Sequence, residues 1–240
     1  MFGFIASLVS GVATAISATV SKIGSAVLSF AQKVAPVIAE VLEAFKPIAK
    51  ALGEIASAFL QGAGILQDGE SVSDFGERAL QASEKGITPD KYENFEDYMR
   101  ALREFEVDPN KMHTDTEQIV GGLAVGTLGL EEKTKAAPGS LGHIWLWPMV
   151  NPSYFTTERM DTLLRSGALV ALSTLGAQFM GKQLSGAEAA ELRQKLEVNA
   201  DGTPMNEAQL GNLYGAFDAA RSEWDKLTEK LQQGSGEGAQ

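Results

Sequence analysis

The chain contains no cysteine and two histidines, His113 and His143. Disulfides and thiolate metal sites are therefore excluded, and so is a histidine-rich metal centre. The 240 residues carry a formal charge of −11 without any cluster of Lys and Arg. A surface that coats nucleic acid by neutralising phosphates is excluded on that ground, although a conduit that DNA merely passes through is not. The sequence also lacks a glycine-rich phosphate loop with its Lys, a Gly-x-Ser-x-Gly elbow and a His-Glu-x-x-His helix. Asp108, Asn110, Asp115 and Glu117 have neither the spacing of a twelve-residue calcium loop nor a glycine at its turn. His113, followed by Thr114, Asp115 and Glu117, reads as part of a helix cap, and His143 as structural. Glu96, Asp97, Glu104 and Glu106 alternate with Arg100 and Arg103 at helical spacing, which is the pattern of a solvated, ion-paired face. Neither an enzyme nor a cofactor is expected.

Charge is also missing from the N-terminus, where the first charged side chain is Lys22. What stands there is a stripe of Val, Ile, Leu and Phe from Phe2 through Ile5, Ile16, Val20, Ile23, Val27, Phe30, Val34, Ile38, Val41, Phe45 and Ile48 to Phe59. Sixteen steps cover its 57 residues, a mean of about 3.56, close to the repeat of an α-helix. The opposite face is Ala, Ser, Gly and Thr, with Ser17, Ser21, Ser25 and Ser29 in one row. Such a helix is poorly suited to lie alone in water, and its small residues permit close packing against copies of itself or against lipid. Four-residue steps around Ile16 and Val34 interrupt the 3,4 alternation, so any supercoil is weak, and Pro36 and Pro47 are expected joints. β-Branched residues dominate the stripe, favouring bundles of more than two helices. Met1 to Ser21 is uncharged and about long enough to span a bilayer, but its Ser, Thr and Gly point to conditional insertion. A cleaved signal peptide is disfavoured because no basic residue precedes the apolar run and the pattern continues to Phe59. The competing reading is that the segment folds back as a hairpin into an ordinary helical core.

The expected organisation is all-α: an amphipathic helical arm over residues 1–66, an acidic helical body over 67–233 and a disordered tail over 234–240. The arm has a formal charge of +1 and the remainder −12. Ser71 or Ser73 is expected to cap a helix running to about Lys85, stopped by Gly86. Thr88-Pro89 reads as a helix start, Thr114 or Asp115 as another, Thr156 or Thr157 as a third, Ser185 with Glu188 as a capping box, and Thr203-Pro204 as the last start. Gln118 to Leu130 is uncharged and holds four glycines, so it is either a tightly packed buried helix or a second membrane-active patch. Trp145 and Trp147, among Pro148 and Pro152, are expected in an irregular segment, as a plug over the core or as interfacial anchors.

The start Met1-Phe2-Gly3-Phe4-Ile5-Ala6, with its Ala/Gly/Ser continuation, resembles the opening of bacteriophage DNA pilot and ejection proteins over about the first 60 residues. The resemblance implies a minor virion protein that assembles in the host envelope as a helical tube or pore, with DNA as passing cargo. It implies as partners further copies of the chain, virion proteins such as portal or tail, and the host membrane. The residues expected to carry assembly are Ile16, Val20, Ile23, Val27, Phe30, Val34, Ile38, Val41, Phe45 and Ile48. Those expected to meet lipid are Phe2, Phe4, Ile5, Leu8, Trp145 and Trp147. A pore-forming toxin or translocator and a structural adaptor that never meets lipid are the alternatives.

Overall fold

The computed structural model describes residues 11–179, 186–199 and 201–237. Among these the fold is all-α, with no strand and one isolated bridge between Val198 and Pro204. The helices are α1 (Gly11–Ser21), α2 (Leu28–Lys33), α3 (Ala35–Ala44), α4 (Lys46–Gly62), α5 (Val72–Glu84), α6 (Phe95–Glu104), α7 (Asp115–Thr134), α8 (Leu146–Val150), α9 (Thr157–Arg165), α10 (Leu169–Phe179), α11 (Gly186–Leu196) and α12 (Glu207–Glu237). The chain divides into two compact units at the 142/143 boundary.

The expected rod over residues 1–66 is, in its described part, four helices folded into the first unit. Two of its three breaks are at the prolines: Pro36 and Pro47 each occupy the first turn of a new helix, after Val34 (ψ −46°) and Phe45 (φ −132°, ψ 78°). In that first turn a missing amide costs nothing, so proline starts the helix it would have kinked if placed inside. The third break, over residues 22–24, turns on Gly24 at φ 145°, a backbone conformation open to glycine. α1 packs on α3, both lie against α7, and α5 runs along α7. From Ile16 to Val41 the apolar stripe is thus covered within its own chain, while Val12 is exposed. The proposed limit of an arm at Leu66 falls inside this unit, because Ile65 and Leu66 are buried with it.

The body helices begin where short polar residues satisfy their free amides. Ser71 accepts from Asp74 N–H (3.1 Å), Asn94 from Asp97 N–H (2.9 Å) and Thr114 from Glu117 N–H (3.3 Å), with Glu117 reaching back to Thr114 N–H. Gly86, at φ 77°, ends α5 as expected. Two expected starts are displaced. Thr88-Pro89 opens only a single 3₁₀ turn, and α6 begins six residues later behind Asn94. Pro204 pairs with Val198, and α12 starts behind Asn206, which exchanges hydrogen bonds with Gln209. Ser185 lies outside the described residues, and α12 continues to Glu237 where a tail from Gly234 was expected.

The second unit is organised by the segment expected to be irregular. Residues Gly142–Trp145 make a 3₁₀ turn that leads into α8, with Pro148 in the first turn of that helix, where its lack of an amide is harmless. Trp147 packs at 5.2 Å from Phe155 in a tilted arrangement and edge-on at 5.0 Å from Phe217 of α12, while its indole N–H donates to Leu172 O (2.9 Å). Asn151 donates to Ala216 O (3.1 Å), fixing α8 against α12. Trp147→Phe keeps most of the apolar contact but leaves a buried carbonyl without this donor. It should lower the stability of this unit by about 1–2 kcal/mol in urea unfolding.

Candidate functional site

Of the ten residues expected to carry assembly, eight are core residues of the first unit. Ile16, Val20, Ile23, Val27, Phe30, Val34, Ile38 and Val41 are each at most 3% exposed, whereas Phe45 and Ile48 are half-buried. In this form of the chain α7 and the other N-terminal helices cover those eight positions. Trp145 and Trp147, expected to meet lipid, are 0% and 2% exposed. They plug the core, because the indole of Trp147 finds its hydrogen-bond partner inside the protein. Phe2, Phe4, Ile5 and Leu8 lie outside the described residues.

In the serine row Ser17, Ser21 and Ser29 are half-buried and Ser25 is exposed. Ser17 Oγ donates to Ala31 O, and Ser21 Oγ donates to Ser17 O (2.8 Å). Ser25 donates through Oγ (2.7 Å) and N–H (3.2 Å) to the two oxygens of the Asp90 carboxylate. The side of α1 turned to solvent is small and uncharged, with Val12 54% exposed and Thr14, Ala15 and Ala18 beside it.

α7 makes this cover possible. It is buried on nearly all sides, so the uncharged run 118–130 is a tightly packed core helix. Its glycines replace side-chain contact with backbone contact. A Cβ added at Gly122 would sit 1.9 Å from Val72 O, and one at Gly76 of α5 would sit 1.7 Å from Gln118 O. Gly126 and Gly129 make room for Leu60 and Phe95. Gly76 carries a role that no motif reading would assign. Its only signal is a lone glycine inside an otherwise regular helical pattern.

Charged groups in this unit serve as staples. Glu77, 2% exposed, receives His113 N–H (3.0 Å), lies 3.1 Å from His113 Nδ1 and accepts from Gln81. Gln81 in turn accepts from Asp108 N–H (2.8 Å) and donates to Asp108 O (3.1 Å). Together they hold the connection from α6 to α7 on α5, giving His113 a structural role. Arg78 donates to the carbonyls of Leu102, Arg103 and Phe105 at the end of α6. Arg103 pairs with Glu70 at 2.8 Å. Burial raises the Glu70 carboxyl, and the Arg103 and Gln67 hydrogen bonds outweigh it and leave the pKa below its ordinary value. A groove of about 730 Å³ between α6 and the end of α7 carries Arg100, Arg103, Lys133 and Lys135 at its edge. Three of these four are paired, with Asp97, Glu70 and Glu132. It does not present the concentrated positive charge of an anion site. Among the described residues no group of three His, Asp or Glu is placed to hold a metal ion.

Glu131, 5% exposed near the end of α7, accepts from Gly139 N–H and Leu141 N–H (both 2.9 Å). It holds the 136–142 loop over α2, where Gly139 approaches Ser29 and Gly142 approaches Phe30 and Val34. Burial raises its carboxyl above the ordinary 4.5, against the opposing pull of those amides. A carboxyl raised on folding binds its proton more tightly in the folded chain. Its contribution to stability is greatest below pH 4.5 and declines as pH rises through the folded value. In Glu131→Gln that decline should vanish. The stability difference between wild type and variant should therefore shift against wild type as pH rises from about 4 to 7, in urea titrations across that range.

Among the described residues no single helix is long and apolar enough to cross a membrane. Ser25–Lys33 and Ala35–Ala44, bent by 54° at their junction, reach the length and apolar composition of a span only when taken together, as buried core helices also can. No family model, curated protein or solved structure matches the chain.

Proposed function

We propose that the protein is a membrane-active minor virion protein of a bacteriophage, folded in a closed form with its apolar stripe covered. At the host envelope α1 to α3 leave the core and assemble, in more than two copies, as a helical conduit for the genome. The observation that carries this reading is the nature of the covered segment. Its bent pair Ser25–Lys33 and Ala35–Ala44 has the length and composition of a membrane span, and it is preceded by the uncharged helix α1. In water the stripe is satisfied by α7. At a bilayer, lipid and neighbouring copies offer an equally apolar environment, and the balance between the two forms shifts by the difference in affinity. Small exposed residues on α1 suit close helix contacts between copies.

A second reading is favoured by the burial of the stripe from Ile16 to Val41: a structural adaptor that keeps the closed form throughout and never meets lipid. Flotation of the purified full chain with vesicles of phosphatidylethanolamine and phosphatidylglycerol separates the two. The membrane reading expects co-flotation, with cross-linked species larger than dimers only in the lipid fraction. Absence from the lipid fraction at every pH and salt concentration tested overturns it in favour of the adaptor. Detection of the chain in purified phage particles tests its place in a virion. Its absence there, together with dye release by the chain alone, identifies a self-sufficient pore former instead.

A further inference from the structure

We propose that residues 11–44 form a detachable layer, held shut at the Gly24-Ser25/Asp90 joint over a scaffold made by α4 to α7. The layer and scaffold are built differently. α5, α6 and α7 each start behind a side-chain cap, at Ser71, Asn94 and Thr114. α2 and α3 start at Val27 and Val34 with none and are 6 and 10 residues long, whereas α4, which also lacks a side-chain cap, is 17 residues long. Uncapped helices this short have little stability of their own and depend on tertiary packing. The scaffold is knit by backbone approach at Gly76 and Gly122 and by polar ties that reach α4. Ser57 accepts from Val72 N–H (2.9 Å), and Gln61 donates to Glu70 O (2.6 Å). The boundary between the two parts is Phe45, where the helix breaks before Pro47.

The layer meets the scaffold mainly through the apolar side chains of the stripe, which have no directional preference for α7 over another apolar surface, and through a surface ion pair of Glu43 with Lys46 at its boundary with α4 (3.3 Å). Its polar joint lies at the surface. Ser25 N–H and Oγ both donate to the exposed Asp90 carboxylate. Gly24 lies so close that a Cβ there would stand 3.0 Å from Asp90 Oδ2 and 3.2 Å from Pro89 Cδ. Its φ of 145° and ψ of 174° belong to a region reserved for glycine. A joint made of two solvent-facing hydrogen bonds and one glycine can release without disturbing the α5·α7 pair. The layer is consequently the least stable cooperative part of the first unit.

This inference rests on the closed form alone and deepens the membrane reading by naming what opens. The test is hydrogen exchange of the full chain in water, without lipid, followed by mass spectrometry. Amides of α2 and α3 should exchange at least tenfold faster than those of residues 72–84 and 119–130. Asp90→Ala should speed exchange in the layer about threefold to tenfold, the range for one net hydrogen bond, and leave α5 and α7 unchanged. Gly24→Ala should act in the same place and more strongly. Equal exchange across layer and scaffold, or an equal response of both to Asp90→Ala, overturns the proposal. A layer that opens in a chain that ignores vesicles overturns the membrane reading and leaves this one standing.

Discussion

Gly76→Ala should cost the first unit about 3 kcal/mol or more, enough to shift its unfolding midpoint in urea by more than one molar or to prevent folding. In isolation the change favours a helix, since alanine exceeds glycine by about 1 kcal/mol. Packing reverses the sign. The new Cβ would stand 1.7 Å from Gln118 O and 2.7 Å from Gly122 N, both backbone atoms of α7 that no rotamer change can move. α5 and α7 would have to separate, and every apolar contact along the pair would loosen with them. Gly211→Ala and Gly215→Ala in α12 are the matched controls. Nothing lies within 4 Å of a Cβ at either position. These should be neutral or stabilise the second unit by up to about 1 kcal/mol. Opposite signs for one chemical change would place the effect in backbone proximity; the same sign would contradict the α5·α7 contact.

The periodicity of the stripe made its buried face legible position by position. From Ile16 to Val41 each stripe residue is inside. Ser71, Gly86, Thr114 and Thr156 were legible as helix ends because each supplies its hydrogen bond or backbone angle locally. Thr88-Pro89 and Thr203-Pro204 misled for the converse reason. The local signal was present, but Asn94 and Asn206 a few residues on offered side-chain caps to the helices that formed. What periodicity could not distinguish was the partner of the stripe. A 3.6-residue repeat looks the same whether it packs on a second copy or on α7 of its own chain. The pairing is decided by Gly76 and Gly122, far away in sequence, which bring α5 and α7 close enough to make a surface for the stripe. The tryptophans carried a similar ambiguity, resolved by the carbonyl of Leu172 within reach of Trp147.

Burial also changes how the assembly residues must be probed. Val20→Asp with Val27→Asp, a natural disruption of a helical tube, would place two carboxylates at positions 0% and 2% exposed and unfold the closed form before any assembly. A lock on the closed form is a cleaner instrument, and its expected effect is close to complete. A Cβ at Gly142 would stand 3.9 Å from Val34 Cβ, inside the disulfide range of about 3.5–4.5 Å, and the chain has no other cysteine to compete. Val34→Cys with Gly142→Cys would tie the joint between α2 and α3 to the loop that Glu131 holds on α7. In the oxidised variant the layer cannot leave the scaffold, while in the reduced variant it can.

Dye release from phosphatidylethanolamine and phosphatidylglycerol vesicles by this variant, measured before and after reduction at equal protein concentration, therefore addresses the central claim that the covered stripe must open to act. The closed form predicts at least a tenfold loss of release and of vesicle binding in the oxidised protein, with recovery to the wild-type level on reduction. Oxidised protein that binds vesicles and releases dye as well as the reduced protein would contradict it, as would a wild-type chain inert toward the same vesicles.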